Sequence, residues 1–154
     1  APEIINQVPE ITHFVSGLGT GGTLTGCGRF FKEQNNEIKI IAAAPHPDDL
    51  VQGLRSLEEG YVPPIFDSSV LDGQIVVDSE TSFATTKKLM NEFGIFSGIS
   101  CGAVVRAAAM LAERIDSGNI VLILADGGWK YLSTQLWTKD YSEIKENVKD
   151  VLWW

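Results

Sequence analysis

The sequence has few cysteines and few positive charges, and each shortage disfavours a class of protein. The two cysteines, Cys27 and Cys101, fit neither a disulfide framework nor the paired spacing of a structural zinc site. Lysine and arginine total 12 against 20 aspartate and glutamate residues, so the formal net charge is −8. A chain this acidic disfavours binding to nucleic acid or to an anionic membrane surface.

Long apolar runs are missing as well. No stretch approaches the roughly 20 apolar residues of a membrane-spanning helix, and the first residues have neither the basic segment nor the apolar segment of a signal peptide. We therefore expect a cytoplasmic chain with no membrane contact. The 154 residues, 44% hydrophobic and 21% charged, fit one globular domain with a sizeable core.

Glycine and threonine are concentrated in residues 17–28, between a strand-like run and a helical run. Glycine allows the backbone to approach a ligand closely and to adopt positive φ. A glycine loop that leads into a helix presents unpaired N–H groups to an anion. The hydroxyls of Thr20 and Thr23 add further donors. The stretch predicts a phosphate-binding loop; the alternative is a strand-to-helix turn without a ligand.

Two common nucleotide sites do not fit this loop. Gly17, Gly19 and Gly22 have the G-x-G-x-x-G spacing of a dinucleotide site, but that site needs an acidic residue after the next strand. The next strand is followed by Ala44 and a proline, so that acid is missing. No lysine precedes Lys32, which disfavours a Gly-Lys-Ser/Thr phosphate loop.

Alternating strand and helix patterns predict an α/β domain with a largely parallel sheet. The predicted strands are residues 11–15, 38–43, 74–78 and 120–124. The predicted helices are residues 23–35, 82–93, 103–115 and a last segment at 141–154. Ser79 or Thr81 is the predicted cap of the second helix and Gly94 its end. Residues 97–102 are predicted to form a second loop of small residues.

The two histidines do not indicate a metal site. His13 lies within a predicted strand, where a packed or edge position is expected. His46 lies beside Asp48 and Asp49 in a loop punctuated by prolines, and we predict that this loop is solvated.

Three short motifs occur in an order typical of one enzyme family. They are residues 19–23 (G-T-G-G-T), residues 98–103 (G-I-S-C-G-A) and residues 129–134 (W-K-Y-L-S-T). Together they resemble the C-terminal part of the cysteine synthase family, whose members are pyridoxal-phosphate enzymes with the tryptophan-synthase-β fold. The resemblance covers essentially all of residues 1–154. It implies a three-layer α/β fold with a mostly parallel sheet, of which this chain would be a large-domain part.

The resemblance also implies the cofactor, pyridoxal 5′-phosphate, and its ligands. The residues that would bind the 5′-phosphate are Gly19, Thr20, Gly21, Gly22 and Thr23. Ser100 would share a hydrogen bond with the pyridine nitrogen. A neutral hydroxyl does not force a proton onto that nitrogen, which suits the moderate electron sink of β-elimination and β-replacement. The alternative role of Ser100 is to cap the following helix.

Arg55 is the strongest indication of the substrate. In the branch that uses O-phosphoserine, to which cysteine synthase B is related, an arginine in a Leu-Arg-x-x-x-x-Gly context receives the substrate phosphate. Residues 54–60 (L-R-S-L-E-E-G) fit that pattern. A guanidinium binds a phosphate dianion with two parallel hydrogen bonds. The alternative is a surface arginine paired with Glu58 or Glu59. The apolar residues 151–154 also resemble the C terminus of that branch, with helix packing as the alternative.

The sequence departs from the family pattern in three places. Ala44 stands where a glutamate is typical. Cys101 stands where serine or threonine is usual; its thiol is either activated by a helix N-terminus or inert through burial. Family members are about twice as long, and the segments for their covalently bound lysine (Ser-x-Lys-Asp-Arg-like) and for the substrate carboxylate (Thr-Ser-Gly-Asn-Thr-like) have no counterpart here. We therefore assign no catalytic residue and no metal ligand in this chain.

We expect the complete enzyme to make L-cysteine from O-phosphoserine or O-acetylserine and a sulfur donor, and this chain alone to be inactive. A sheet without its N-terminal strands exposes edges and apolar surface, so a homodimer or a complex with a missing N-terminal segment is expected. Two alternatives stay open: a non-catalytic phosphate- or pyridoxal-phosphate-binding module, and a truncated, strand-swapped interaction protein. A dinucleotide-binding oxidoreductase is disfavoured by Ala44.

Overall fold

The computed structural model describes the backbone of residues 1–149 and the side chains of all of these except residues 59 and 146–149; the apolar residues 151–154 lie outside the described residues. The strands are β1 (His13–Gly17), β2 (Lys39–Ala44), β3 (Gly73–Val76) and β4 (Ile120–Leu122). The α-helices are α1 (Pro2–Gln7), α2 (Gly22–Gln34), α3 (Ser79–Phe93), α4 (Ile99–Ala112) and α5 (Tyr141–Lys149). Short 3-10 segments are Leu57–Glu59, Ser68–Val70 and Gly128–Thr134.

The four described strands form one parallel sheet in the order β3-β2-β1-β4. Val15 of β1 is paired with Ile41 of β2 on one side and with Leu122 of β4 on the other. Apart from the exposed Lys39, every residue of β2 is buried. A strand that is apolar throughout is typical of a parallel sheet covered on both faces.

Successive residues of the central strands point into two separate cores. Phe14 and Ile40 pack with Phe31 of α2 on one face of the sheet. Val15 and Ile41 pack with residues of α3 and α4 on the other face. Because strand side chains alternate between faces, both layers of helices are held by the same two strands. The predicted α/β class, the parallel sheet and the three layers are confirmed.

The start of α3 differs from the prediction by one turn. Its N-cap is Asp78, whose carboxylate accepts a hydrogen bond from the Thr81 backbone N–H at 2.7 Å and another from the Thr81 hydroxyl at 2.7 Å. The prediction that Ser79 or Thr81 caps this helix was wrong, because a carboxylate one residue earlier satisfies the first-turn donors. Gly94 ends the helix as predicted, in the left-handed conformation with φ +68°.

The predicted loop at residues 97–102 was wrong in its second half. Helix α4 begins at Ile99 with Gly98 as its N-cap, so Ser100 and Gly102 lie in its first turns. A β-carbon on Gly102 would stand 2.1 Å from the Ser82 carbonyl oxygen of α3. The glycine at position 102 lets α3 and α4 approach each other closely. From composition alone, a glycine that serves helix packing cannot be told from a glycine in a loop.

In the last helix, Ile144 is buried in the core beside α3 and α4, as its apolar spacing suggests. Val148 and Val151, which follow Ile144 at helical spacing in the predicted last helix, fall outside the described side chains. None of the helices in the described part of the chain has the length and apolar character needed to cross a membrane.

Candidate functional site

The glycine-rich loop connects the carboxyl end of β1 to the first turn of α2. Its residue Gly21 is the N-cap of α2 in the left-handed conformation with φ +82°. No side chain caps this helix, so the first-turn N–H groups have no side-chain acceptor among the described residues. An uncapped helix N-terminus that follows a glycine loop attracts an anion through its free N–H groups and its dipole.

Two glycines of the loop are required by the segment that passes beside them. A β-carbon on Gly19 would stand 2.8 Å from the carbonyl oxygen of Gly53, and one on Gly21 would stand 2.5 Å from Cδ2 of Phe66. Gly53 and Phe66 both belong to the long connection between β2 and β3. That connection therefore contacts the glycine-rich loop at two points, Gly19 and Gly21.

A cavity of about 270 Å³ opens at this edge of the sheet. It is lined by all of residues 19–23 and by Ser100, so the structure brings together the six residues that were predicted to bind the cofactor. Gly17, from the predicted glycine loop, also lines it; the lining residues that were not predicted are Ser16, Gly53, Leu54, Val104, Ile123 and Ala125. In the structure Gly53 has φ +87°, a conformation that favours glycine, so the glycine at this position was the one signal in the sequence.

Ser100 is the second residue of α4 and lines the cavity. The alternative that it caps the helix was wrong, because Gly98 holds that position. Within the described part of the chain, no group accepts a hydrogen bond from its hydroxyl or donates one to it. Ser100 is largely buried, and a buried hydroxyl without a protein partner is suited to a polar atom of a ligand.

These residues fit pyridoxal phosphate. The loop offers backbone N–H groups together with the hydroxyls of Thr20 and Thr23 for a phosphate, and Ser100 offers a free hydroxyl for a ring nitrogen. Leu54 and Val104 add apolar walls to the same cavity. A cavity with apolar walls and a few converging polar groups is the usual form of a cofactor site.

Arg55 follows directly after Gly53 and Leu54 but does not itself line the cavity. Its backbone N–H donates to the carbonyl oxygen of Leu18 at 2.7 Å. Its guanidinium carbon lies 5.0 Å from the centroid of the Tyr61 ring. Among the side chains that the structure describes, no carboxylate pairs with Arg55, so the alternative of an ion pair with Glu58 is not seen. The side chain of residue 59 is outside the description.

Cys101 is buried next to the cavity, and burial raises the pKa of its thiol. Its sulfur lies 3.6 Å from the carbonyl oxygen of Asp126. The Asp126 carboxylate accepts a hydrogen bond from the Tyr131 hydroxyl at 2.8 Å. Burial and this hydrogen bond raise the pKa of Tyr131. Of the two alternatives for Cys101, the structure favours the inert, buried thiol.

A larger open groove of about 590 Å³ lies beside α2. Its basic side chains are paired with carboxylates: Arg29 contacts Asp67 at 2.8 Å, and Asp72 is contacted by Lys32 at 2.7 Å and by Lys39 at 3.6 Å. His46 is exposed, in agreement with a solvated loop. Over the residues described, no group of three or more histidines, cysteines or carboxylates is placed to hold a metal ion.

Comparison with known proteins agrees with the geometry. Residues 1–126 match the family described as pyridoxal-phosphate dependent enzyme. The chain is 40% identical over 142 residues to a cysteine synthase of Aquifex aeolicus, a match that covers 88% of this chain and 43% of the relative. It is 36% identical to cysteine synthase B of Pseudomonas aeruginosa, with 86% of this chain and 45% of the relative covered.

A solved structure shows the same fold. The crystal structure of O-ureido-L-serine synthase superposes with a TM-score of 0.80 at 33% sequence identity, over 98% of this chain and 48% of that one. The chain thus spans about half the length of the relatives it matches, and the predicted cofactor is the cofactor of the matching family. The three motifs, the sheet and the cavity have one explanation: the chain belongs to the family of pyridoxal-phosphate dependent enzymes, and its relatives there include cysteine synthases.

Proposed function

We propose that the chain is the C-terminal part of a cysteine synthase, which makes L-cysteine from an activated serine and a sulfur donor. The observation that carries the proposal is the single cavity that gathers residues 19–23 and the Ser100 hydroxyl, which has no partner among the described residues. The cysteine synthases among its relatives support this function over a non-catalytic phosphate-binding module or a strand-swapped interaction protein.

The residues of the cavity divide the work of holding the cofactor. The N–H groups at the start of α2 and the Thr20 and Thr23 hydroxyls hold the phosphate, where the positive end of the helix dipole lies. Ser100 would donate or share a hydrogen bond with the ring nitrogen. Because a hydroxyl is neutral, it would not require that nitrogen to be protonated. When bound, pyridoxal phosphate supplies the electron sink for a β-replacement. Leu54 and Val104 would give the bound cofactor apolar walls that exclude water.

For the substrate we propose O-phosphoserine, bound through its phosphate by Arg55. Arg55 follows two cavity-lining residues, Gly53 and Leu54, in the chain. No described carboxylate forms an ion pair with its guanidinium, which contacts the Tyr61 ring. An unpaired guanidinium beside a small-molecule site favours a phosphate dianion over a neutral acetyl ester. O-acetylserine is the second candidate substrate.

We propose that this chain has no cysteine synthase turnover by itself. Among the described residues that line the cavity there is no lysine, and the relatives are about twice as long. The lysine that holds the cofactor covalently and carries the proton in such enzymes therefore has to come from another segment or another chain.

We also propose that a further segment, or a second copy of the chain, covers β4. This strand lies at an edge of the sheet, and three apolar residues beside it are exposed: Ile95, Leu124 and Trp129. An uncovered edge next to apolar surface favours association. Light scattering after size exclusion tests this, and a monomer at all concentrations argues against it.

The two free cysteines support a cytoplasmic location, which cell fractionation tests.

The decisive experiment uses the native protein that contains this chain. Purified with pyridoxal phosphate, it is given O-phosphoserine or O-acetylserine together with sulfide, and L-cysteine is measured. The Ser100→Ala variant should retain the fold and lose most of the rate. Phosphate or pyridoxal-phosphate binding without any L-cysteine from either serine ester would support the non-catalytic module instead.

A further inference from the structure

Tyr61 is the closest aromatic partner of Arg55 in the described structure. Its ring centroid lies 5.0 Å from the guanidinium carbon, within the range of a cation–π contact. Tyr61 is 55% exposed, so burial in a core does not account for its position. A ring that covers one face of a guanidinium leaves the N–H donors free, since these lie in the plane of the group.

The backbone explains how Tyr61 returns to Arg55. Residues Leu57–Glu59 form one 3-10 turn, and the Ser56 hydroxyl accepts a hydrogen bond from the Glu58 N–H at 3.3 Å. Gly60 follows in the left-handed conformation with φ +85° and reverses the chain. A β-carbon on Gly60 would meet nothing within 4 Å, so glycine is needed there for its φ and not for space.

The segment between Arg55 and Asp67 is fixed at both ends on the glycine loop and on α2. At one end the Arg55 N–H donates to the Leu18 carbonyl oxygen at 2.7 Å. At the other end Phe66 lies against Gly21, and the Asp67 N–H donates to the Thr25 hydroxyl at 2.9 Å. The turn that carries Tyr61 is therefore held in place relative to the phosphate-binding loop.

We propose that Tyr61 is a positioning residue for Arg55. Its ring fixes the plane of the guanidinium of Arg55, which follows the cavity-lining Leu54 in the chain, so that the N–H donors are ready for the phosphate of the substrate. Without the ring, the long side chain has no described partner and samples many rotamers, which it must give up when the phosphate binds. The inference rests on the proposed role of Arg55 in binding the substrate phosphate.

The test measures binding of O-phospho-L-serine and of O-acetyl-L-serine to the native protein loaded with pyridoxal phosphate. Tyr61→Phe keeps the ring, Tyr61→Leu keeps an apolar side chain of similar bulk, and Arg55→Ala removes the cation. Val62→Ala is the matched control, since Val62 is the next residue and is equally exposed at 54%. The Arg55 Nε–H resonance, shifted by the ring current of Tyr61, reports the stacking directly by NMR.

We expect Tyr61→Leu to weaken O-phosphoserine binding about two- to fivefold, the size of an exposed cation–π contact, and to leave O-acetylserine binding unchanged. Tyr61→Phe and Val62→Ala should bind both esters like the parent protein. In the Arg55→Ala background, Tyr61→Leu should have no further effect. The affinity for pyridoxal phosphate should be the same in all of these variants. That result would show that the substitutions act on binding of the substrate phosphate and not on binding of the cofactor phosphate.

Two failures have different meanings. If Arg55→Ala weakens O-phosphoserine binding but Tyr61→Leu does not, or if Tyr61→Leu weakens both esters equally, the positioning role of Tyr61 is wrong and the role of Arg55 stands. If Arg55→Ala leaves O-phosphoserine binding unchanged, the proposed substrate phosphate site itself is wrong, and the role of Tyr61 is lost with it.

Discussion

The ring of Phe66 occupies the space in which a side chain at position 21 would lie, since a β-carbon on Gly21 would stand 2.5 Å from Phe66 Cδ2 and 2.7 Å from Phe66 Cβ. The same glycine has φ +82° and begins α2. Steric crowding and backbone conformation thus both require glycine at the centre of the glycine-rich loop.

Gly21→Ala should destabilise the protein by about 2–5 kcal/mol. About 1–2 kcal/mol comes from the left-handed conformation and about 1–3 kcal/mol from overpacking against Phe66. Urea unfolding measures the change. Gly26→Ala is the control, because Gly26 lies in α2 and a β-carbon there would meet nothing within 4 Å. That substitution should stabilise the protein by about 0.5–1 kcal/mol. Equal effects of the two substitutions would contradict the packing described here.

Ser100→Ala should separate ligand binding from stability. The Ser100 hydroxyl has no partner among the described residues, so its removal should leave the free energy of unfolding nearly unchanged. It should weaken pyridoxal-phosphate binding by about 1 kcal/mol, the net value of one hydrogen bond. The comparison is Ser82→Ala, because the buried Ser82 hydroxyl donates to the Ile99 carbonyl oxygen at 2.7 Å. Ser82→Ala should cost about 1 kcal/mol of stability. A large loss of stability in Ser100→Ala would mean that its hydroxyl has a structural role.

The cap of α3 predicts a dependence of stability on pH. Burial is the largest single influence on the pKa of Asp78, and by itself it raises that pKa. The hydrogen bonds that the carboxylate accepts, those from Thr81 first among them, together outweigh burial, so the pKa of Asp78 is lowered. A lowered pKa means that the carboxylate stabilises the fold above the pKa of an unfolded aspartate, about 3.9. This contribution is lost as the pH falls through the lower pKa of the folded state.

Asp78→Asn isolates this titration, because asparagine caps a helix about as well as aspartate but carries no charge. The stability of the parent protein relative to Asp78→Asn should be constant near neutral pH and should fall as the pH decreases below about 4. Asp78→Ala should cost about 1 kcal/mol at pH 7. Thermal unfolding at several pH values measures both, and a difference that grows toward acid would show that the sign is wrong.

The two cysteines should differ in their reaction with a thiol reagent. Cys101 is fully buried and its pKa is raised by burial, whereas Cys27 in α2 is partly exposed. The thiolate is the reactive form, so Cys27 should react in the native protein and Cys101 only after unfolding. Labelling followed by mass spectrometry measures this, with Cys27→Ser as the control. Rapid labelling of Cys101 in that variant would contradict the buried position.

Much of the fold follows from the sequence because its strands are strongly patterned. The run around Ile40 is apolar at nearly every position, which predicts a covered parallel sheet, and the sheet is found. No strand end differs from its predicted position by more than two residues. The start of α4 was missed because Gly98, Ser100 and Gly102 have the composition of a loop. In the structure the two glycines serve close packing: a β-carbon on Gly98 would lie 1.9 Å from the Asp126 carboxylate.

Half of the site was visible in the sequence and half was not. Residues 19–23 and Ser100 were found because their motifs are local or belong to a family pattern. Gly53, Leu54 and Ile123 reach the same cavity from distant parts of the chain. The place of Gly53 and Leu54 depends on how the β2–β3 connection crosses the sheet edge, and that of Ile123 depends on the pairing of β4 with β1; no local pattern encodes either. Tyr61 was missed for the same reason, since its contact with Arg55 exists only once Gly60 has reversed the chain.

The order β3-β2-β1-β4 has a consequence for the time course of folding. The last strand lies beside the first, and the Ile123 N–H is bonded to the Val15 carbonyl oxygen at 3.3 Å across more than a hundred residues of chain. Closing so long a loop carries a large entropic cost, so contacts of this kind form late. The wall that Ile123 and Ala125 contribute to the cavity is therefore completed among the last events. A ligand that fills the cavity therefore binds only to molecules in which β4 has already paired with β1. During refolding, ligand binding should accordingly occur at the end of folding and not at its beginning.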